Sequence, residues 1–197
     1  MANAALGLKA HSGWAALVVL AGPPGSPTVA DRRRIGLAGP GIPKQPYHAA
    51  ENLRLEKAEE LIRHCVRGSR RLARQAFGET IADVRREGHV VVACGQLLAS
   101  GRPLPGLAAV LASHALIHTA DGEHFRDAIA HAAAHEKLRV TSVREKEIWA
   151  RASAELEIPV AELERRINAM GKAIGPPWAA DQKLAALAAW IALTSVK

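Results

Sequence analysis

Aromatic residues and cysteines are scarce in this sequence. Phe, Trp and Tyr make up 4% of the chain, although hydrophobic residues account for 49%. Ala, Leu and Val must therefore fill most of the core, and the many alanines favour closely packed helices. Cys65 and Cys94 are the two cysteines, too few for a disulfide framework or a cysteine-rich zinc site. This usage predicts a reducing compartment, the cytoplasm.

Long apolar runs and common nucleotide-binding motifs are also missing. No segment approaches the ~18–20 apolar residues that a membrane-spanning helix needs, so we expect no membrane association. Residues 14–21 are apolar, but the run is short and no basic cluster precedes it, unlike a signal peptide. The sequence contains no GxxxxGK[ST] or GxGxxG pattern. A P-loop or a dinucleotide site of the Rossmann type is therefore not predicted.

The segment Leu6–Leu20 predicts the centre of the fold. Leu6–Ala10 and Trp14–Ala21 are apolar and typical of strands, and His11-Ser12-Gly13 between them predicts a tight turn. Such a hairpin suits the first two strands of a central sheet. The segment contains no acidic residue, and this absence bears directly on the expected activity.

Three further segments predict strands of the same sheet. Thr28–Leu37 has a charged middle, which is typical of a sheet edge. His89–Leu98 is almost continuously apolar, which predicts a central, parallel strand buried on both faces. Arg139–Val143 follows the helical segment Leu104–Leu138, so the strand–helix–strand order predicts a right-handed parallel crossover.

The remaining segments predict helices. Tyr47–Glu87 carries apolar residues at helical spacing, with Gly68 and Gly78 as candidate positions for a bend or break. The helical region 104–138 is expected to be interrupted near residues 120–122. Residues 144–197 predict a helical part that packs on the sheet within a single domain, 1–197. In it, Ala180–Leu193 is apolar almost all round and must be buried.

The chain is basic, with a formal net charge of +7 and a pI of about 9.9, which makes a polyanionic partner such as nucleic acid plausible. Arg63, Arg67, Arg70 and Arg74 follow one another at steps of four, three and four residues, and form a ridge along one helical face. Guanidinium groups at this spacing can meet successive phosphates, so these arginines and Lys9 are the predicted nucleic-acid-binding residues. The alternative is a solvated face whose arginines pair with acids on the same or a neighbouring helix.

The order of elements, β-β-β-α-β-α-β-α, resembles the ribonuclease H-like fold, and within it the RuvC-type resolvases and their YqgF relatives. The matching pieces are Leu6-Gly7-Leu8 followed by a turn and Gly13-Trp14, the buried strand 90–98, and the final helix that begins Asp181-x-x-x-Ala185-Ala186. The resemblance implies an α/β fold with a mixed central sheet flanked by helices. The first strands of that sheet are antiparallel and the later ones parallel.

Enzymes of the resembled family cleave phosphodiesters with two divalent metal ions, Mg²⁺ or Mn²⁺, held by carboxylates from the first strand, the fourth strand and the last helix. Carried over to this sequence, only Asp181 matches. Lys9 stands at the first-strand position, and the fourth strand offers Cys94, Gly95 and Gln96 but no acid. The resemblance therefore implies nuclease activity that is lost or altered.

A rearranged site is a second possibility. Glu123, in the second helical region, and His11, at the hairpin turn, are candidates to join Asp181 as catalytic residues, because the ends of strands gather on one side of such sheets. Asp181 and Glu123 would then be the metal ligands. The alternative is structural: Asp181 caps a helix, Glu123 faces solvent and His11 serves the turn.

Two histidine pairs have a spacing that can bind a transition metal. His114 and His118, and also His131 and His135, are four residues apart, which places both imidazoles of a pair on one helical face. The HExxH pattern is absent. The alternative is that these are partly buried helical histidines without a metal.

The sequence thus predicts a cytoplasmic, nucleic-acid-binding, ribonuclease H-like protein with lost or altered nuclease activity and, in the second case, Mg²⁺ or Mn²⁺ as cofactor. One alternative is an active metal-dependent nuclease that uses the rearranged site. Another is a non-catalytic interaction module in which the apolar C-terminal helices form a homodimer.

Overall fold

The computed structural model describes residues 1–99 and 103–196, and its centre is a five-stranded sheet. The spatial order of the strands is β3-β2-β1-β4-β5, with antiparallel pairing among the first three in the chain and parallel pairing of β4 with β1 and β5. The predicted mixed α/β sheet is confirmed. The strands are β1 Ala2–His11, β2 Trp14–Ala21, β3 Thr28–Gly36, β4 His89–Leu98 and β5 Arg139–Arg144.

The predicted hairpin is confirmed as β1 and β2. Gly13 at the turn has a φ of +83°, a conformation that glycine adopts without strain. Its carbonyl oxygen accepts hydrogen bonds from the backbone N–H groups of Leu37 and Ala38, at 2.8 and 3.0 Å, and so ties the turn to the end of β3. The charged strand β3 lies at the sheet edge and β4 lies inside the sheet, both as predicted.

Helices occupy both sides of the sheet. No helix of the described residues is long and apolar enough to cross a membrane. A short 3₁₀ turn, Glu145–Glu147, links β5 to the C-terminal helices. The helices are α1 Pro46–Ala50, α2 Leu55–Arg86, α3 Leu107–Leu111, α4 His114–His135, α5 Ile148–Leu156, α6 Val160–Ile174 and α7 Ala180–Thr194.

The helices are not broken at the positions that the sequence singled out. α2 runs without a break through Gly68 and Gly78, and α4 runs through residues 120–122. Ala120 and Asp121 are buried, so tertiary packing outweighs the low helix propensity of this stretch. The break in region 104–138 falls at residues 112–113, between α3 and α4.

The sheet separates two apolar cores. Leu6 and Leu8 of β1 face α2 and α4, where they join Phe77 and Phe125. Since side chains alternate along a strand, the odd-numbered residues of β1 face the opposite side. That side is covered by α7 together with α5 and α6. The side on which a residue lies therefore decides which functional groups it can meet.

The apolar helix α7 is buried, as predicted. Ala185–Leu193 are each 0–1% exposed. A Cβ atom added at Gly7 or at Gly95 would collide with the backbone of α7, so these two glycines allow the helix to lie directly against β1 and β4. A homodimer formed by the C-terminal helices stays a prediction, but the apolar surface of α7 is already covered within the chain.

Candidate functional site

Lys9 lies between two carboxylates at the end of β1. Its Nζ donates a hydrogen bond to Glu145 Oε1 at 2.7 Å and lies 3.3 Å from Asp181 Oδ1. The side chain of Lys9 is 14% exposed. We call Lys9, Glu145 and Asp181, together with His11, the Lys9 cluster. Because its charge is already compensated here, Lys9 is poorly placed for its predicted role in phosphate binding.

The topology explains how the Lys9 cluster forms. Lys9 is an odd-numbered residue of β1 and therefore points toward α7, whose first turn carries Asp181. Glu145 directly follows β5, and the ends of parallel strands meet at one edge of the sheet. Burial opposes the charged form of Lys9, but hydrogen bonds and charges from Glu145 and Asp181 outweigh it and raise the pKa of the ammonium.

His11 completes the cluster and is packed against Trp14. Its Nε2 lies 3.0 Å from Asp181 Oδ2, without the alignment of a hydrogen bond. Its ring stacks on Trp14 with centroids 4.3 Å apart and an interplanar angle of 11°. The guanidinium carbon of Arg34 lies 3.8 Å from the centroid of the same indole. Trp14 is thus engaged in contacts within the protein.

Glu123 is not brought to Asp181. It lies on α4, which packs on the opposite face of the sheet from α7. Its Oε1 accepts a hydrogen bond from Arg126 Nη1 at 3.0 Å. The structure therefore unites His11 with Asp181, and places Glu123 at a cavity of about 420 Å³ on the α4 side. The metal site between Asp181 and Glu123 stays a prediction that this placement does not favour.

The fourth strand adds no carboxylate to the Lys9 cluster. Gly95 is covered by the backbone of α7, and Gln96 points to the other side, where its Nε2 donates to the carbonyl of Arg126 at 3.2 Å. Leu97, the next residue on the α7 side, belongs to the apolar core. Divalent ions lie about 2.0–2.6 Å from carboxylate oxygens, and Lys9 Nζ already holds the central position between Asp181 and Glu145. With Lys9 in place, these residues do not fit a pair of divalent metal ions.

Three of the four arginines of the predicted ridge, Arg67, Arg70 and Arg74, line a groove on α2 together with Arg71. Arg67, Arg71 and Arg74 are exposed. Arg70 points to the neighbouring helix α4, where its Nε and Nη2 donate to Asp127 Oδ2 at 2.9 and 2.8 Å. We call the groove, about 520 Å³ in volume, the arginine groove. It is lined by Pro40, Ile42, His64, Arg67, Gly68, Arg70, Arg71, Arg74 and His131.

Arg63 lies one turn further along the same helix and faces a different cavity. This cavity, of about 290 Å³, also contains Tyr47 and Glu59. Arg70 pairs with an acid of a neighbouring helix, as the structural alternative expects, whereas the exposed arginines Arg67, Arg71 and Arg74 make no ion pair within the described part of the chain. Phosphate binding by the ridge stays a prediction.

One predicted histidine pair comes together and gains a third member. His114 Nε2 and His118 Nε2 are 3.1 Å apart, and His48 of α1 lies beside both. We call these three residues the histidine cluster. The second pair does not converge: His135 Nδ1 lies 3.1 Å from Glu136 Oε1, whereas His131 lines the arginine groove.

Sequence reasoning missed Glu145 and His48. Glu145 follows the parallel strand β5, so the rule that strand ends gather at one edge could have identified it. His48 lies on a separate five-residue helix, and no spacing along the sequence links it to His114 and His118. Its position depends on the packing of α1 against α4.

No family model matches this chain, and no curated protein matches it. Among solved structures, T. thermophilus RuvC in complex with a Holliday junction substrate matches with a TM-score of 0.52 and 11% sequence identity, over 95% of this chain and 90% of that one. A second Thermus thermophilus RuvC structure matches with a TM-score of 0.49 and 12% identity, over 95% and 92% of the respective chains. The chain therefore has the ribonuclease H-like fold of RuvC.

Proposed function

We propose that this protein binds structured nucleic acid through the arginine groove and has lost the metal-dependent nuclease activity of the family it resembles. The observation that carries the binding proposal is the arginine groove itself. Its exposed arginines, Arg67, Arg71 and Arg74, are spaced by four and three residues along α2. This spacing puts them on one helical face, where they can meet neighbouring phosphates with charge-assisted hydrogen bonds.

The charge of the whole chain supports the same proposal. The formal net charge of +7 attracts polyanions from a distance, and the arginine groove offers them a concave surface. T. thermophilus RuvC is described in complex with a Holliday junction substrate, which makes a four-way DNA junction the natural first probe.

Loss of cleavage is proposed from the Lys9 cluster. In the resembled family, carboxylates at this edge of the sheet hold the divalent ions that activate water. Here an ammonium lies 2.7 Å from Glu145 Oε1 and 3.3 Å from Asp181 Oδ1, and compensates the same negative charge. An ammonium cannot polarise a phosphate or acidify a bound water as a divalent ion does. The protein would therefore keep the fold and the binding surface without the reaction.

Fluorescence anisotropy with a labelled four-way junction and a duplex of the same length tests the binding proposal. We expect binding at low salt that weakens as salt rises, because counterions are released from the phosphates. The variant Arg67→Gln/Arg71→Gln removes two contacts and should lower the slope of log affinity against log salt by about 2. No binding at low salt would contradict the proposal.

A charge-matched variant separates the arginine groove from net charge. Arg85→Gln/Lys172→Gln removes two exposed positive charges, one at the end of α2 and one on α6. We expect a much smaller loss of affinity from this variant than from the groove variant. Equal losses would attribute binding to the overall charge and would overturn the assignment of the groove.

Incubation of the junction with the protein and Mg²⁺ or Mn²⁺ tests the loss of cleavage. We expect no products. Products that form with the wild type and disappear with Asp181→Asn would instead support the active, rearranged nuclease. That outcome would leave the binding proposal intact, so the two parts can fail independently.

A further inference from the structure

The histidine cluster brings three imidazoles from two helices to one point. His48 belongs to α1, and His114 and His118 belong to the first turns of α4. One ligand atom of each residue lies within 4.8 Å of the others, and the Nε2 atoms of His114 and His118 are 3.1 Å apart. In a tetrahedral zinc site with bonds of about 2.0–2.1 Å, ligand nitrogens lie about 3.3–3.4 Å apart. His114 and His118 are exposed, so their rings have room to rotate toward this geometry.

A buried carboxylate orients the first imidazole. His48 Nδ1 lies 2.5 Å from Asp121 Oδ2, so Nδ1–H donates to the carboxylate and the lone pair is left on Nε2. Asp121 is itself held in place, because its Oδ1 accepts the backbone N–H of Tyr47 at 2.7 Å. Metal-binding histidines typically donate their second ring N–H to a carboxylate in this way, which fixes the ring and raises its basicity as a ligand.

The burial of Asp121 strengthens its hold on His48. Asp121 is 3% exposed, and its described partners are one backbone N–H and the ring of His48. Because this side chain is buried, water does not compete for its contact with His48, and the carboxylate holds the imidazole in one orientation. Glu51 Oε1 lies 3.7 Å from His114 Nδ1, beyond hydrogen-bond distance.

We infer that His48, His114 and His118 form a binding site for a transition-metal ion, with Zn²⁺ as the best match, that links α1 to α4. Three imidazoles without a thiolate suit Zn²⁺, Cu²⁺ or Ni²⁺, whereas Mg²⁺ and Ca²⁺ prefer oxygen ligands. Three protein ligands leave a fourth position of a tetrahedral ion for water or another small ligand.

This site is separate from the Lys9 cluster and has a different consequence. α1 has five residues and no side-chain N-cap, so it is too short to be stable alone. A metal bridge to α4 would fix α1 together with its residue Tyr47, which lines the same cavity as Arg63. The metal would thereby stabilise the segment that precedes the arginine-bearing helix.

Metal titration of the full-length chain, stripped with a chelator, tests the inference. Zn²⁺ in competition with a chromophoric chelator should show one bound equivalent, and Co²⁺ should give the visible absorption of a tetrahedral nitrogen site. His114→Ala/His118→Ala should weaken binding at least about 10-fold, and Asp121→Asn about 10- to 100-fold. His131→Ala/His135→Ala removes the other histidine pair of the same helix. This variant should bind Zn²⁺ with the affinity of the wild type.

A second measurement distinguishes loss of metal binding from loss of folding. His114 and His118 are exposed, so the double variant should keep the wild-type circular dichroism spectrum. Zn²⁺ should raise the unfolding temperature of the wild type and of the His131/His135 variant, but not that of the His114/His118 variant. Substoichiometric binding by the wild type, equal affinity in the His114/His118 variant, or equally tight binding of Mg²⁺ would each overturn the inference.

Discussion

Lys9 Nζ lies 3.3 Å from Asp181 Oδ1, so the strand and the helix that carry metal-binding acids in the resembled family are joined here by an ion pair. The ammonium performs the electrostatic task of a metal ion, since it compensates the carboxylates at this edge of the sheet. It supplies none of the Lewis acidity. The contribution of this charge compensation to the free energy of unfolding can be measured with variants of Lys9.

Lys9→Ala should destabilise the protein, because it leaves Glu145 and Asp181 uncompensated. The Lys9 cluster is partly exposed, so its ion pairs should contribute more than surface pairs and less than fully buried ones. We expect the free energy of unfolding to fall by about 1–2 kcal/mol. Mn²⁺ should restore part of this loss by taking the position of the ammonium, and NaCl of equal ionic strength should not. Urea unfolding with and without each salt measures both effects.

Lys57→Ala is the matched control for that change. Lys57 pairs with Glu60 on the exposed side of α2, at 2.8 Å, where solvent screens the interaction. We expect no measurable change in stability and no response to Mn²⁺. An equal response of both variants would mean that the ion acts on the protein in general and not on the Lys9 cluster.

Asp127→Asn should strengthen nucleic-acid binding. Asp127 holds the guanidinium of Arg70, with both hydrogen bonds on one carboxylate oxygen. Removal of this charge releases Arg70 to the arginine groove, and the salt slope of binding should become steeper by about 1. Glu155→Gln, which breaks the Arg151 pair on α5, makes the same change in charge elsewhere and should have less effect in the same anisotropy assay. Weaker binding by Asp127→Asn would contradict the proposed role of the groove.

Gly95→Ala should destabilise the fold strongly. Its added Cβ atom would meet the backbone of Ala188, which cannot rotate away as a side chain can. We expect the free energy of unfolding to fall by about 3 kcal/mol. Gly78→Ala in α2 is the contrasting change: no atom lies within 4 Å of the added Cβ, and the higher helix propensity of alanine should add about 1 kcal/mol. Urea unfolding distinguishes the two, and similar effects would contradict the close packing of α7.

His124 should make stability depend on pH in the mildly acidic range. Its ring is buried, which lowers the pKa of the imidazole, and its Nε2 lies 3.0 Å from Ser69 Oγ. The folded protein therefore keeps this ring neutral at a pH where the unfolded chain, with an ordinary pKa of about 6.5, already binds a proton. The free energy of unfolding is therefore highest above the unfolded-state pKa of about 6.5. It falls as the pH drops from there toward the lowered pKa of the folded state.

Comparison with His124→Gln isolates this contribution from that of the other histidines. Between about pH 7.5 and about pH 5.5, urea unfolding should show a larger loss of stability for the wild type than for the variant. An identical pH dependence of the two proteins would show that His124 does not contribute.

The sheet could be predicted because its signals are local. The Gly13 turn between two apolar runs, the charged middle of β3 and the continuous apolar run of β4 each reflect a physical demand on one segment. The all-round apolar character of α7 likewise requires burial wherever the helix lies. The break was predicted near Gly122, a residue of low helix propensity, but α4 runs through it and its neighbours Ala120 and Asp121 are buried, whereas the break lies at residues 112–113.

The candidate sites were only partly predictable, because they depend on which face of the sheet each element covers. Lys9 and Asp181 were both identified, but their partner Glu145 comes from a different element. Glu123 has a carboxylate that could bind a metal ion, but it lies on the opposite side of the sheet from Asp181. His48 reaches His114 and His118 through the packing of two helices, which no spacing along the chain encodes.

Gly7 and Gly95 lie opposite one another on β1 and β4, and both are covered by α7. Because the helix rests on backbone atoms, an aspartate with a single methylene group is long enough to span the gap from α7 to Lys9. A side chain larger than hydrogen at either glycine would lift the helix and separate the two charges without altering either of them. Two residues without a functional group thus determine the distance between Lys9 and Asp181. Substitution of either glycine would break the ion pair although both charged residues are unchanged.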